Sequence, residues 1–328
     1  MPIGRRRLAP PTVALVGTGT ISAAHAAAAV LSGFPVSHAD LRDGTVGTDI
    51  VVVCSPPRCH ADDVLALLPT GAAVMVETPM CCTLDEADAM VAASDAHGGR
   101  LLYAEHLAHS PVVHRLLGLV PTIGTLTHLE VRALQGLPSD SARTTGEWGG
   151  GVLFDLGVHP LAVAMLCANA SGAGAPVAVS ATMRGRREVD EHAEVMLHFA
   201  TGLQARVSAS WEAGPSPVWD AQLASDRGVL RAELMPVPTL EHDGEQVTLS
   251  PARVSPPEIE HYGYLGEMQA IAATIGRSEP PVMTARFGRL VLDTVCAASR
   301  SAAHNGAREL LPFTGARDRT PVELWRGR

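Results

Sequence analysis

Thr12-Val13-Ala14-Leu15-Val16-Gly17-Thr18-Gly19-Thr20-Ile21-Ser22 decides the fold of this chain. A short apolar, β-prone run meets a glycine turn, and an alanine-rich segment then runs to about Leu31. That order predicts strand, tight turn and helix. The turn fits G-x-G-x-x-G except that Ser22 stands at the third glycine. Gly17 permits the tight turn. Gly19 lets a pyrophosphate approach amides at the helix N-terminus, where the dipole is positive. Serine at the third position loosens strand–helix packing without forbidding it. Gly17, Gly19, Thr20 and Ile21 are therefore expected at a dinucleotide.

Working outward, Asp49 to Cys54 reads as a buried strand of parallel type and Ala61 to Leu68 as a helix. Ala72 to Val76 is a further buried strand, and Thr83 to His97 a helix opened by the cap-like Thr83-Leu84-Asp85-Glu86. Arg100 to Ala104 is another strand. Strands alternating with helices predict a doubly wound, Rossmann-like α/β domain over residues 1–120. The pattern then changes. Thr125–Ala133, Val177–Met183, Ala193–Phe199, Leu203–Trp211 and Gly228–Leu234 alternate like antiparallel strands, with a hairpin turn at Thr201-Gly202. A helix is expected over about Phe154–Cys167, and two more close the chain near Tyr262–Ile275 and Thr284–Ala303. Residues 121–328 are thus expected to form an α+β domain with a large open, mainly antiparallel sheet.

Bulk properties limit function. A length of 328 residues suits two domains, and 46% hydrophobic against 18% charged residues reads as globular. The net charge of −9 argues against nucleic acid or an anionic membrane as a main partner. A basic cluster, Arg5 to Arg7, lies near the start of the sequence, and the apolar run after it is too short for a signal-peptide core. A cytoplasmic protein is expected. The cysteines, Cys54, Cys59, Cys81, Cys82, Cys167 and Cys296, form no C-x-x-C pair, so neither a zinc knuckle nor a dithiol motif is indicated. All 25 basic residues are arginines. With no lysine, Schiff-base catalysis and a P-loop are excluded, and no guanidinium can take over acid–base work.

A second motif is Gly149-Gly150-Gly151-Val152-Leu153-Phe154-Asp155-Leu156-Gly157-Val158-His159. Asp155 and His159 are four apart, so on one helix they share a face, and a carboxylate beside an imidazole raises its basicity. The plain alternative is a surface ion pair. The three glycines point to a ligand approaching the backbone.

These residues, with Val76-Glu77-Thr78-Pro79-Met80, carry a resemblance to the glucose–fructose oxidoreductase/inositol dehydrogenase (Gfo/Idh/MocA) family. It extends over nearly the whole chain and includes His25, the Ser55-Pro56-Pro57 turn with His60, and the closing segment from Gly263-Tyr264 to Ser301-Ala302. The resemblance implies NAD or NADP in the first domain and a substrate site and oligomer interface in the second. It also implies oxidation or reduction of a secondary alcohol or carbonyl on a sugar or cyclitol. It places Ser55, Pro56, His60 and Glu77 at the cofactor. His159 becomes the acid/base, Asp155 its orienting carboxylate, and Glu105, His106, Arg132 and Trp148 candidate substrate contacts.

Two departures stand out. The family's Glu-Lys-Pro lysine is Thr78 here, a hydroxyl that can hydrogen-bond but not titrate near neutral pH. Only 17 residues separate Leu31 from Asp49, which leaves room for one short strand, Pro35 to Ala39, and a turn. One strand–helix unit is therefore expected to be missing on the adenosine side. Asp40 stands at ribose-binding spacing, or is a solvated loop residue. His106, His109 and His114 invite a metal reading, but Pro111 interrupts helical spacing and no acidic third ligand is evident, so no metal is expected. Of the three tyrosines, Tyr103 is the one expected to face the cleft. Apolar residues on both faces near 193–211 (Val195, Leu197 and Phe199 against Met196) predict a homodimer or homotetramer through the open sheet face. The rival to a redox enzyme is a redox-inactive relative that performs elimination or cyclisation, or a binding or regulatory protein.

Overall fold

A computed structural model describes residues 9–39, 47–186, 188–214, 216–275 and 283–327. Its first sheet has the strand order β2-β1-β3-β4-β5, all parallel. The strands are β1 (Val13–Val16), β2 (Val36–His38), β3 (Ile50–Val53), β4 (Ala73–Glu77) and β5 (Leu101–Ala104). Every residue of β1, β3, β4 and β5 is buried, which is why these strands read as unbroken apolar runs rather than alternating ones. Val13 and Leu15 enter one apolar cluster and Ala14 and Val16 the other, so helices cover both faces.

Helices α1 (Thr20–Leu31), α2 (Pro57–Leu67) and α3 (Leu84–Ala96) fill the connections. Thr83 and Glu86 form the full capping box expected at the start of α3. Between β2 and β3 the described residues hold no helix, in keeping with the short 17-residue interval. Asp40 lies outside the described residues, as does the Arg5–Arg7 cluster.

Among the described residues the second sheet has nine strands, antiparallel except where β6 meets β9, in the order β13-β12-β11-β10-β6-β9-β8-β7-β14; its outer members are β7 (Pro176–Arg184), β11 (Val229–Met235), β12 (Thr239–His242), β13 (Glu245–Gln246) and β14 (Glu309–Leu310). Its central members are β6 (Leu126–Leu134), β8 (His192–Phe199), β9 (Gln204–Ser210) and β10 (Val218–Ser225). The turn between β8 and β9 is the expected one, with Gly202 at a φ of 91°. Inward positions on β8 are Ala193, Val195, Leu197 and Phe199. Outward ones are His192, Glu194, Met196 and His198, partly exposed. The expectation of apolar residues on both faces is therefore corrected: Met196 is the single apolar residue in that outward row. The neighbouring outward residues pair as ions, Arg206 with Glu194 at 2.9 Å and Arg132 with Asp220.

Helix α4 (Pro111–Leu119) follows β5; Pro111 starts it and Ser110 before it is extended, so helical spacing from His106 and His109 to His114 is interrupted there as expected. The expected helix at 154–167 is two elements, α5 (Val152–Asp155) and α6 (Val158–Ala170), with the break falling between Asp155 and His159. The closing helices α8 (Tyr264–Thr274) and α9 (Ala285–Ala303) return to the first sheet. Tyr264, Leu265, Met268 and Ile271 join the cluster beneath β1, and the backbone N–H of Tyr103 donates to Met283 O. Among the described residues no single helix is long and apolar enough to cross a membrane.

Candidate functional site

The glycine turn comes first. A Cβ on Gly17 would lie 2.6 Å from the carbonyl of Cys54, and its φ is 99°, so only glycine fits between β1 and the end of β3. Ser22, at the third glycine position, is buried and donates to Gly17 O at 3.2 Å. A hydrogen bond thus replaces the close packing that glycine would give. Helix α1 begins at Gly19 with no side chain capping it, so its first amides stay free to meet an anion. A cavity of about 540 Å³ opens over this end and is lined by Thr18 to Ile21, Cys54 to Pro57, Glu77 and Thr78. Pro138 to Asp140, Arg143 and Trp148 form its other wall. Gly17 lies beneath the turn, while Gly19, Thr20, Ile21, Ser55, Pro56, Glu77, Thr78 and Trp148 share one cavity. These residues suit a dinucleotide's pyrophosphate at the uncapped helix.

His60 takes a different part from the one expected. It is buried, its Nδ1 2.9 Å from Pro79 O and its Nε2 2.7 Å from Ser55 O, and it does not line the cavity. Burial holds its pKa below the ordinary histidine value, and a neutral ring donates to only one of those carbonyls. It pins the Ser55 turn to the Pro79 segment. Glu77, at the end of β4, is also bound from behind. Its Oε1 accepts from His25 Nε2 at 2.5 Å, and its Oε2 from the Thr78 amide at 2.9 Å. Burial opposes its charge, but His25 prevails and its pKa lies below the ordinary value.

The proton-transfer candidates gather around His159 at the start of α6. Its Nδ1 lies 2.9 and 3.0 Å from the two carboxylate oxygens of Glu105, a fully buried residue just past β5. Sequence reasoning had Glu105 as a pocket-lining group and Asp155 as the orienting carboxylate. Glu105, not Asp155, is the hydrogen-bond partner of His159. The helix breaks between Asp155 and His159, and the Asp155 carboxylate oxygens stand 3.3 and 3.4 Å from Arg143 Nη1, although its charge still acts on His159. Burial pushes the Asp155 pKa up, with Arg143 opposing. Burial alone would lower the His159 pKa, but the charge and hydrogen bond of Glu105 outweigh it and the pKa is raised. Nδ1–H facing Glu105 leaves Nε2 as the atom that can exchange a proton.

His106 is the third member. Its Nδ1 donates to Tyr262 O at 2.6 Å, and burial and the nearby His159 lower its pKa. Rings then run in a row. His25 meets Tyr264 edge-on at 5.3 Å, and Tyr264 stacks on His106 at 4.6 Å. His106 lies 5.1 Å from His159, and His159 lies 5.6 Å from Trp219. Tyr264 and Trp219 were missed by sequence reasoning. Tyr103, the tyrosine expected at the cleft, is buried in the core with its ring against Gly288. Glu105, His106 and His159 bring possible ligand atoms within 4.8 Å of one another and could hold a cation. That set differs from the His106/His109 spacing considered from sequence. His109 instead lies beside His114, and burial lowers its pKa to about 4.

Arg132 is not brought to the site. It lies on the outward face of β6, paired through Nε with Asp220 Oδ1 at 2.8 Å, because alternation on β6 points Val131 and Ala133 inward instead. The three glycines have a packing role rather than the ligand role expected. A Cβ on Gly151 would lie 2.2 Å from Asp190 O, and one on Gly150 2.4 Å from Phe154. Asp190, also missed, accepts from the amides of Gly151 and Leu153, and burial raises its pKa to about 6.

Comparison with known proteins agrees with this architecture. Residues 12–105 match the family model described as "Oxidoreductase family, NAD-binding Rossmann fold", and residues 121–231 match "GFO/IDH/MocA C-terminal domain". The D-xylose 1-dehydrogenase (NADP(+)) 2 of Haloferax volcanii is 26% identical over 277 residues, 80% of each chain. The D-glucoside 3-dehydrogenase of Escherichia coli K12 is 36% identical over 126 residues, 37% of this chain and 36% of that one. Two further curated relatives are matched over only 32% and 52% of their length. Among solved structures, GenD2 from gentamicin A biosynthesis in complex with NAD superposes with a TM-score of 0.78 at 21% identity, over 95% of this chain and 99% of that one. The chain belongs to the Gfo/Idh/MocA family of NAD(P)-binding oxidoreductases.

Proposed function

We propose that the protein is an NAD(P)-dependent oxidoreductase acting on a secondary alcohol or carbonyl of a sugar-like or cyclic polar substrate, with His159 as acid/base. The observation that carries this reading is the buried Glu105–His159 pair, which fixes the tautomer and raises the imidazole pKa. The uncapped start of α1 and the Ser55–Pro57 turn would hold the dinucleotide, and the bound nicotinamide supplies the hydride acceptor or donor. His159 Nε2 takes the hydroxyl proton in oxidation and returns it in reduction, while Glu105 holds Nδ1–H. Thr78, at the cavity wall, offers a hydrogen bond to a substrate oxygen where the family carries lysine. Self-association as a homodimer or homotetramer through the open sheet face stays part of the reading on the family resemblance alone, since the outward row of β8 is mostly polar, and light scattering measures it.

The second reading, a redox-inactive relative, draws on two observations. The chain has no lysine, and no helix stands between β2 and β3 among the described residues. Titration of NAD and of NADP into the purified protein decides between them. Micromolar binding of either, with absorbance change on a polyol or ketose panel, supports the oxidoreductase. Absence of binding at millimolar cofactor supports the second reading.

A further inference from the structure

We propose that the sugar-like substrate carries an anionic group, a carboxylate or a phosphate, and that Arg143 binds it. This rests on the oxidoreductase reading above. Arg143 is the one basic side chain among the described residues lining the cavity. The carboxylates that share the lining have partners of their own. Glu77 holds His25, and Asp140 Oδ1 accepts the Ala142 amide at 3.0 Å. A guanidinium presents five donors in a planar fork that matches a carboxylate or phosphate two bonds at a time. Its contact with Asp155 uses one nitrogen, Nη1, at 3.3 and 3.4 Å. Charge-assisted bonds run to about 2.7–2.9 Å, so that pairing does not saturate the group. Arg143 Nε is buried and has no hydrogen-bond partner, so the donors of the guanidinium are not all used within the protein. The guanidinium lies 5.5 Å from the centre of the Trp148 ring, which limits its orientation.

Position assigns the anion to the substrate rather than to the cofactor. Arg143 lines the cavity and touches Asp155, whose charge acts on His159, so it stands on the His159 side of that cavity. The pyrophosphate has its own site in the uncapped amides of α1. Asp155 then acts as the backstop that aims Arg143.

The test is equilibrium binding of four probes, glucose, glucuronate, glucose 6-phosphate and UDP-glucose, to the full chain saturated with cofactor. Wild type is compared with Arg143→Gln and Arg143→Lys. At least one anionic probe is expected to bind ~10-fold or more tighter than glucose, and Arg143→Gln to reduce that preference by ~10–100-fold, the range for charge-assisted bonds. Arg143→Lys keeps the charge without the fork and should retain part of the preference. It decides the matter if the glutamine variant fails to fold. Glucuronate against glucose 6-phosphate and UDP-glucose tells carboxylate from phosphate. No anionic probe binding better than glucose, or a preference that survives both substitutions, overturns the inference. So does an equal loss of cofactor affinity in Arg143→Gln measured without sugar. A preference that follows Arg143 without any hydride transfer would leave the anion site standing and remove the oxidoreductase reading.

Discussion

Two carboxylates compete for the role of partner to His159, and their histories in the sequence are opposite. Asp155 is four residues away and looks like its helical neighbour, yet the chain breaks helix between them and Arg143 engages the acid. Glu105 is 54 residues away, and it holds Nδ1 at 2.9 Å. The difference teaches how each end of the cleft is specified. The pyrophosphate end is one continuous strand, turn and helix, so local spacing describes it. The proton end draws on β5, α6, α8 and β10, and only the packing of the two sheets brings those segments together.

The comparison breaks most directly at His159. His159→Ala should lower turnover by ~100-fold or more, the usual loss for a general acid–base group. Steady-state kinetics with saturating cofactor measure it, and full activity in this variant would remove His159 from the chemistry.

The pyrophosphate end has its own sharp test. Gly17→Ala places a methyl 2.6 Å from the Cys54 carbonyl at a φ of 99°. Left-handed strain and overpacking together should cost about 2–4 kcal/mol. Urea unfolding reads the loss, and an unchanged midpoint would mean the turn relaxes freely. Gly19→Ala faces nothing within 4 Å, so its penalty should come from its φ of 123° alone and be the smaller of the two.

Glu105→Gln against Asp155→Asn separates the two carboxylates. Glu105 raises the His159 pKa against burial, so its loss lets burial prevail and the pKa falls. In the oxidation direction His159 must start neutral. The acid limb of the kcat profile should therefore move to lower pH in Glu105→Gln, with kcat down ~10-fold for a lost orienting bond. Asp155→Asn should move that limb less. The linkage has a matching sign for stability. A raised histidine pKa contributes stability below the ordinary histidine value, and that contribution is lost as pH rises through the raised one. Glu105→Gln should flatten this trend in thermal melts as pH rises above the ordinary histidine value. An equal shift in both variants would return Asp155 to the role that spacing first suggested.

Much of the fold was legible because its signals are local. The apolar runs of β1, β3 and β4, the Thr83 capping box and the Gly202 hairpin each lie within a few residues. β10 was overlooked although Trp219, Ala221 and Leu223 alternate inward, and that period was available to find it. α4 was missed although Pro111, at its first position, is a helix-start signal. Of the site, Thr78 and the glycine turn could be placed by motif. Tyr264, Trp219, Asp190 and the true partner of His159 could not, since each reaches the site through tertiary packing. Arg132 failed for a subtler reason: strand alternation alone puts it on the outward face, beside Asp220.

The smallest expected effect lies at Thr78. Its side chain lines the cavity where the family carries a lysine, and its own amide is already satisfied by Glu77. Thr78→Ala removes one neutral hydrogen bond to substrate, worth about 0.5–1.5 kcal/mol, so kcat/KM should fall only ~3–10-fold. Thr78→Lys is the more telling change. It places a titratable amine beside Glu77, an acid whose pKa lies below the ordinary value because His25 holds it. An ammonium should be tolerated next to that charge. If His159 alone carries the proton, the lysine should preserve or raise dehydrogenase activity on polyols and leave the acid limb set by His159 in place. If Thr78→Ala proves more damaging than His159→Ala in the same assay, the proton moves through the Glu77–Thr78 side of the cleft, and the division of labour drawn here between its two ends is wrong.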